Sequence, residues 1–361
     1  MATFTLFKIG AGVATIVFIL YHFAALRELS ISTPAHRDHF TSLPSRSLQI
    51  HGAENCVGDI NTTALVEESI AIRRSCQKFP APLHSFGSKG PRVATLSVHF
   101  SKSKGSDTFY QQALRSHLLH RLVHQSPLHV LCTPVIEGLW NKQAFILSVL
   151  IEEMTKPADE RLEWIFWADR DSVVLDHCRD AVDFLEPAKT FGLSSLGGAL
   201  HSKPINLLIA NDHNGLNDGT FLLRVNQWSI DLISDILAFP RYKPDVHLPF
   251  SEQTAMEILL KEDRYKDNVR YTPQHWFNAW PEVEGHAQDY VTRDNMSGME
   301  EWSIRRGDFL VHFAGCEDKE REVKGFIEAG RQVGNVWESD RAQRDVSTEV
   351  EAFWSENASS T

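Results

Sequence analysis

The sequence holds five cysteines in 361 residues, and no two of them form a Cys-x-x-Cys pair. Cys56, Cys76, Cys132, Cys178 and Cys316 are too scattered for a cysteine metal site or a disulfide framework, so the fold must rest on its core. Cys56 with Cys76 is the expected bridge. Positive charge is also short: 36 Lys and Arg stand against 47 Asp and Glu, a net charge of -11. That balance argues against a nucleic-acid partner and gives no global attraction for a phosphorylated substrate, so any diphosphate must be held locally, by a metal or a few basic side chains. No internal repeat is present, which excludes repeat architectures. The rest is ordinary for a globular chain, 42% hydrophobic and 23% charged, long enough for one large catalytic domain or two small ones.

From Ile9 to Leu26 no residue is fully charged, with Lys8 before the run and Arg27 after it. That length just spans a bilayer and exceeds the usual apolar region of a cleaved signal, so a transmembrane signal anchor is expected. The rival is a cleavable signal ending near Phe23-Ala24-Ala25. Either route leads into the secretory pathway, and the sequons at Asn61, Asn295 and Asn357 are compatible with a lumenal body. The expected layout is a tail over 1–8, an anchor over 9–26 and a Ser/Pro/His-rich stem over 27–90, broken by one short helix at Ala64 to Cys76. A folded domain over 91–338 and an acidic, mostly solvated tail over 339–361 follow.

Within the body, Arg92 to Phe100, Leu128 to Leu131 and Trp164 to Ala168 read as strands, with helices at Phe109 to His124 and Asn141 to Met154 between them. Strand, helix, strand, helix, strand is the pattern of an α/β domain whose parallel sheet is covered on both faces. Further on, Asn206 to Ala210 and Thr220 to Val225 are strand-like, Gln227 to Phe239 is a helix ended by Pro240, and Ser251 is a candidate N-cap for a helix to Lys261.

The organising stretch is Trp164 to Asp176, where a run of large apolar residues stops at Asp169 and Asp171. In an extended segment the two acids share a face and Arg170 points away. Two hard oxygen ligands at the end of a buried strand suit a divalent cation, and such a cation can hold a diphosphate. A chain of this length contains about one Asp-x-Asp by chance, so the alternative is a solvated acidic turn. Position favours the functional reading, because ligands of open α/β sheets bind beyond the carboxyl ends of strands.

Four further stretches are polar where an element ends. Asn211 to Phe221 is dense in Asn, Asp and Gly, which is also ordinary turn chemistry. Glu252-Gln253 begins a helix, where an acid is favoured by the dipole in any case. The aromatics of Gln274 to Trp280 stack on a sugar or pack in the core. His312, in Gly307 to Cys316, follows a strand, where a lone histidine is a structural group or a metal ligand.

Taken together, Trp140-Asn141-Lys142, Trp164 to Asp171, Asp212 to Arg224, Glu252-Gln253, Gln274 to Asn278 and Gly307-Asp308 through Gly315-Cys316 resemble glycosyltransferase family 34. That family includes fungal α-galactosyltransferases, α-1,6-mannosyltransferases of the Golgi mannan pathway and plant xyloglucan xylosyltransferases. The resemblance covers roughly 92–326. It implies a GT-A fold, Rossmann-like and nucleotide-sugar-binding, as a single catalytic domain behind the membrane helix and stem. It also implies Mn²⁺ beneath the donor diphosphate, with Asp169 and Asp171 matching the family's acidic motif and His312 its third metal ligand. By the same resemblance Asp212, Asn217, Glu252 and Gln253 face the transferred sugar and reaction centre, and Lys142 lies near the phosphates.

The implied activity is retaining hexosyl transfer, with UDP-galactose as donor and a mannose-containing glycan as acceptor, at the Golgi membrane with a single-pass type II topology and a lumenal catalytic domain. The alternatives are a GDP-mannose-dependent α-mannosyltransferase and a noncatalytic glycan-binding subunit of a Golgi complex. Two positions depart from the family pattern. Arg170 replaces a small or neutral residue, which bears on the nucleoside pocket, and Asp218 stands where a small residue is expected after Asn217, which bears on sugar selectivity.

Overall fold

The computed structural model describes residues 47–58, 60–80, 90–100, 108–186 and 204–359. The proposed tail, the 9–26 anchor and the first part of the stem lie outside the described residues, and among these no helix is long and apolar enough to cross a membrane. A seven-stranded sheet runs through the body in the order β1-β3-β2-β4-β7-β6-β8. Its strands are β1 (Leu48–His51), β2 (Val93–Val98), β3 (Leu128–Leu131), β4 (Trp164–Ala168), β6 (Leu207–Asp212), β7 (Gly215–Arg224) and β8 (Val269–Thr272). β1 to β4 are mutually parallel, as the strand-helix-strand-helix-strand pattern led us to expect for β2, β3 and β4, whereas β7 is antiparallel to both β4 and β6, so the sheet as a whole is mixed. The cause is the tight hairpin between β6 and β7, which reverses the chain where a parallel connection would need a crossover.

Side chains alternate as a sheet buried on both faces demands. Ile165 and Trp167 of β4 join one core with Leu96, Phe221 and Leu223, under helices α3 (Asn141–Met154), α4 (Gln227–Tyr242) and α5 (Glu252–Leu259). Trp164, Phe166 and Ala168 face the other core, where Phe184, Trp276, Phe277 and Phe309 pack. α3 turns Phe145, Ile146, Val149 and Leu150 inward. α4 runs through Pro240 to Tyr242 rather than stopping before it.

Two boundaries differ from expectation. The segment assigned to the stem supplies β1 and helix α1 (Thr62–Lys78), which buries Leu65 and Cys76 against α2 (Thr108–His124) and β3. It is stapled to the body by Cys56–Cys132 and Cys76–Cys178, so the expected Cys56–Cys76 bridge is not formed. Each bridge closes a long loop, which by chain entropy stabilises the fold by on the order of 4 kcal/mol. At the other end, helix α8 (Ser347–Ser359) inserts Val350 and Trp354 into the second core, so most of the acidic tail is structured. Its short apolar pattern was masked by the surrounding Ser and Glu.

After Ala168 the chain leaves the large sheet and enters β5 (Ser172–Val174), which pairs with β9 (Leu310–His312) in a separate two-stranded sheet. α6 (Ala287–Thr292) and α7 (Lys319–Val333) cover that sheet's outer side. This switch of sheets places Asp169 and Asp171 in the turn between them.

Candidate cation centre and reaction site

The antiparallel register sets Ser172 opposite His312, and the Phe313 N–H donates to the Asp171 carbonyl at 2.9 Å. Residues far apart in sequence are thereby brought together: the ligand atoms of Asp169, Asp171 and His312 all lie within 4.8 Å of one another. His312 Nε2 is 3.6 Å from Asp171 Oδ1. Asp169 accepts a hydrogen bond from Trp167 Nε1 at 2.8 Å and stands 3.3 Å from Lys142 Nζ. Asp171 also accepts from Lys319, at the start of α7.

A fault in the sheet completes the site. Between β6 and β7 the register slips at Ile209/Ala210, whose partners are Phe221 and Asn217, so Asp218, Gly219 and Thr220 bulge away from β6. The bulge turns Asp218 into the interior, where Lys142 Nζ donates to its Oδ1 at 2.8 Å and to its carbonyl at 3.0 Å. It also lays the Gly219 backbone against the His312 ring: a Cβ at 219 would meet Cε1 at 2.1 Å, which only glycine avoids. Gln253 Oε1 accepts from the Asp218 N–H at 3.2 Å, and Glu252 Oε1 lies 3.7 Å from Lys142 Nζ. Ser251 sits at the N-cap position of α5 with φ 54°, but its side chain makes no cap bond.

Asp212 is half-buried on the β6–β7 turn, accepting from Asn217 Nδ2 at 2.8 Å and from the Asn214 N–H at 2.6 Å. All eight predicted site residues therefore gather in one region, but in two linked groups. Lys142 stands not as a free cation but within a ring of three carboxylates. The Asp218 departure has a local explanation, since its carboxylate is a Lys142 partner. Arg170 lies over the Tyr110 ring at 4.1 Å and donates to the Phe100 carbonyl at 3.2 Å. The 274–280 aromatics divide: Trp276 and Phe277 are core residues, while Trp280 is half-buried beside His213.

The electrostatics show an excess of negative charge. Among the described residues, the carboxylates of Asp169, Asp171, Asp218 and Glu252 face two ammonium groups, Lys142 and Lys319. Burial pushes Glu252 up to about 7, with Asp218 adding to the rise and Lys142 opposing it. Burial alone would lower the Lys142 ammonium, but Asp169, Asp218 and Glu252 hold it well above the ordinary lysine value. Burial raises Asp169 in spite of Lys142, whereas for Asp171 it is outweighed by His312 and Lys319, which keep that carboxyl below its usual range. A divalent cation would balance this surplus, and one nitrogen with two hard oxygens is a donor set that suits Mn²⁺. Lys319 was not legible in the sequence, because a lysine opening a charged helix carries no local signal.

Residues 194–322 match the galactosyl transferase GMA12/MNN10 family. That stretch of the chain is similar to the family over roughly a third of the sequence. The family match contains the bulge, the Glu252-Gln253 helix start, His312 and Lys319, while the acidic pair and Lys142 precede it. A probable alpha-1,2-galactosyltransferase, gmh1 of Schizosaccharomyces pombe, is 27% identical over 202 residues, covering 50% of this chain and 55% of that one. The probable alpha-1,6-mannosyltransferase MNN10 of Saccharomyces cerevisiae is 27% identical over 170 residues, 43% of this chain and 42% of that one. The chain thus spans about half the length of the curated relatives it matches. A solved glycosyltransferase involved in glycosylation of the major capsid of PBCV-1 aligns with 65% of this chain and 98% of that one, at 14% identity and a TM-score of 0.45, a likeness too loose to carry an argument.

Proposed function

We propose that the chain is a retaining, metal-dependent glycosyltransferase of the GT-A type that moves galactose from UDP-galactose onto a mannose-containing glycan. In this reading it works in the Golgi lumen from a single-pass type II anchor at 9–26. The observation that carries the proposal is the convergence, beyond the carboxyl end of β4, of Asp169, Asp171 and His312 with Lys142, Asp218, Glu252 and Gln253.

Asp169, Asp171 and His312 would hold a cation, which would supply Lewis-acid neutralisation of the charge developing on a leaving nucleoside diphosphate. The chain's own residues shape the rest. Lys142 holds Asp169, Asp218 and Glu252 together, so the acids stay converged instead of repelling one another. Retention needs a covalent carboxylate intermediate or attack from the leaving-group face. Glu252 is 2% exposed and tied to Lys142, a poor position for a nucleophile. Same-face displacement, with half-exposed Gln253 beside the sugar and Asp212 on the adjoining turn, fits this geometry better.

The test is a donor screen on the full chain with Mn²⁺, reading hydrolysis and transfer for each nucleotide sugar. UDP-galactose should turn over fastest. A second reading, GDP-mannose as donor, is favoured by the likeness to the Saccharomyces cerevisiae relative, and faster turnover of GDP-mannose would select it. Nucleotide-sugar turnover that needs no divalent cation, or no turnover of any donor, would overturn the proposal.

A further inference from the structure

The His312 tautomer is dictated through a chain of buried amides whose direction is set by a backbone group. The Gly219 N–H, which can only donate, points at Asn217 Oδ1 at 3.0 Å. This orients the Asn217 amide, so that its Nδ2 faces Asp212 Oδ2 at 2.8 Å, an acceptor. Asn217 Oδ1 takes a second bond from Asn278 Nδ2 at 3.0 Å. Asn278 therefore presents its oxygen on the other side, where His312 Nδ1 lies at 2.8 Å. An amide oxygen cannot donate, so Nδ1 must carry the proton and the lone pair of the neutral ring is left on Nε2, the nitrogen that faces Asp171.

We propose that Asn278 and Asn217 are positioning residues that hold His312 as the Nδ1–H tautomer and tie the cation centre to the Asp212 turn. The inference rests on the reading of Asp169, Asp171 and His312 as a cation centre. Three observations favour a dedicated relay over incidental packing. Asn217, Asn278 and His312 are 4%, 0% and 2% exposed, so water does not compete for their polar atoms. Each amide is used in the sense its partners require, and reversing either would set donor against donor or acceptor against acceptor. The segment bearing Asn278 is also pinned on both flanks, by Thr220 Oγ1 donating to the Phe277 carbonyl at 2.7 Å and by the His312 N–H donating to the Ala279 carbonyl at 2.8 Å. A histidine that ligates through one nitrogen needs its other nitrogen occupied in this way, and losing such a partner typically weakens metal binding about 10- to 100-fold.

The experiment uses the full chain with ¹⁵N-labelled histidine in mildly alkaline, metal-free buffer, where long-range ring couplings distinguish the two neutral tautomers. His312 is assigned by the signal lost in His312→Gln. The wild type should show His312 with its proton on Nδ1. Asn278→Ala should abolish the single tautomer and lower Mn²⁺ affinity about 10- to 100-fold. Asn278→Asp, which keeps an acceptor opposite Nδ1 but loses the donor to Asn217 Oδ1, should restore the tautomer and bind Mn²⁺ more tightly than Asn278→Ala. An Nε2–H ring in the wild type, or an unchanged tautomer and affinity in Asn278→Ala, would overturn the inference; should Asn278→Ala not fold, the wild-type spectrum and Asn278→Asp decide. Wild-type protein that shows the Nδ1–H ring yet binds no Mn²⁺ would refute the cation centre and leave the relay standing.

Discussion

Two clusters in this molecule have the same composition, one histidine with two carboxylates, and opposite character. Asp169, Asp171 and His312 form the first; His275, Glu301 and Glu349 form the second. In the first, Nδ1 of the histidine is occupied by the neutral oxygen of Asn278, leaving Nε2 turned toward the acids. In the second, Nε2 lies 3.0 Å from Glu349, while Nδ1 makes no hydrogen bond and stands 3.9 Å from Glu301, so the imidazole is itself placed as the partner of an acid. Trp276 Nε1 donates to the same Glu349 at 2.9 Å. The second cluster is thus a clamp that fastens α8 to the 274–280 segment, and the first gathers two carboxylates and one imidazole nitrogen in a set that could hold a cation. Residue types alone do not separate them; what the second nitrogen of the ring touches does.

The sharpest way to break this contrast is to remove a carboxylate from each cluster. Asp171→Asn should reduce Mn²⁺ affinity by on the order of 100-fold or more, since even an outer partner of a ligand costs 10- to 100-fold. Glu349→Gln should leave affinity unchanged, and calorimetry on both variants checks the pair.

A smaller effect is expected from Gly219→Ala, whose Cβ must displace the His312 ring. Overpacking of this kind costs about 1–3 kcal/mol, and here it should be accompanied by weaker Mn²⁺ binding, seen by combining melting with metal titration. A melting loss with full Mn²⁺ affinity would mean that the ring tolerates the shift and that Gly219 serves packing alone.

Histidine removal compares the clusters on one scale. His312→Ala and His275→Ala each delete a buried, hydrogen-bonded ring, so each should lower the stability of the metal-free protein by about 1–3 kcal/mol. Only His312→Ala should also lose metal affinity. Equal Mn²⁺ affinity in the two variants would erase the distinction drawn between them.

The smallest effect is a pH slope. Burial would raise the Glu349 carboxyl, but its bonds to His275 and Trp276 outweigh that and hold it below the ordinary glutamate value. Its contribution is therefore complete above the unfolded glutamate value and is lost as the pH falls through the folded one. The melting-temperature gap between wild type and Glu349→Gln should narrow as the pH is lowered through that acid range. A gap that is constant with pH would mean the clamp does not depend on the Glu349 charge.

Much of the framework was open to reading along the chain. Leu128 to Leu131 and Trp164 to Ala168 were bounded as they are found, and α2 and α3 to within a residue, because local periodicity and length encode an element and the turn that stops it. Asp169 and Asp171 were legible for the same reason, as the place where an apolar strand ends. The β4–β7 pairing, the Cys56–Cys132 and Cys76–Cys178 pairs and the docking of α1 and α8 were not, because each depends on which distant segment lies alongside, and a period of two or 3.6 says nothing of the neighbour.

The sequence by itself determined a charge balance that demands local handling of any anion, an α/β alternation, and an acidic pair at the end of a buried strand. Only the tertiary structure decided that Lys142 is held by Asp169, Asp218 and Glu252, that Lys319 reaches Asp171, and that His312 meets the acids with its Nδ1 already occupied. The physical reason is that a side chain's chemistry is carried by its type, whereas its charge partners and its tautomer are set by the atoms packed against it. For His312 those atoms belong to β5, β7 and the 274–280 segment, which the chain reaches only by leaving one sheet for another.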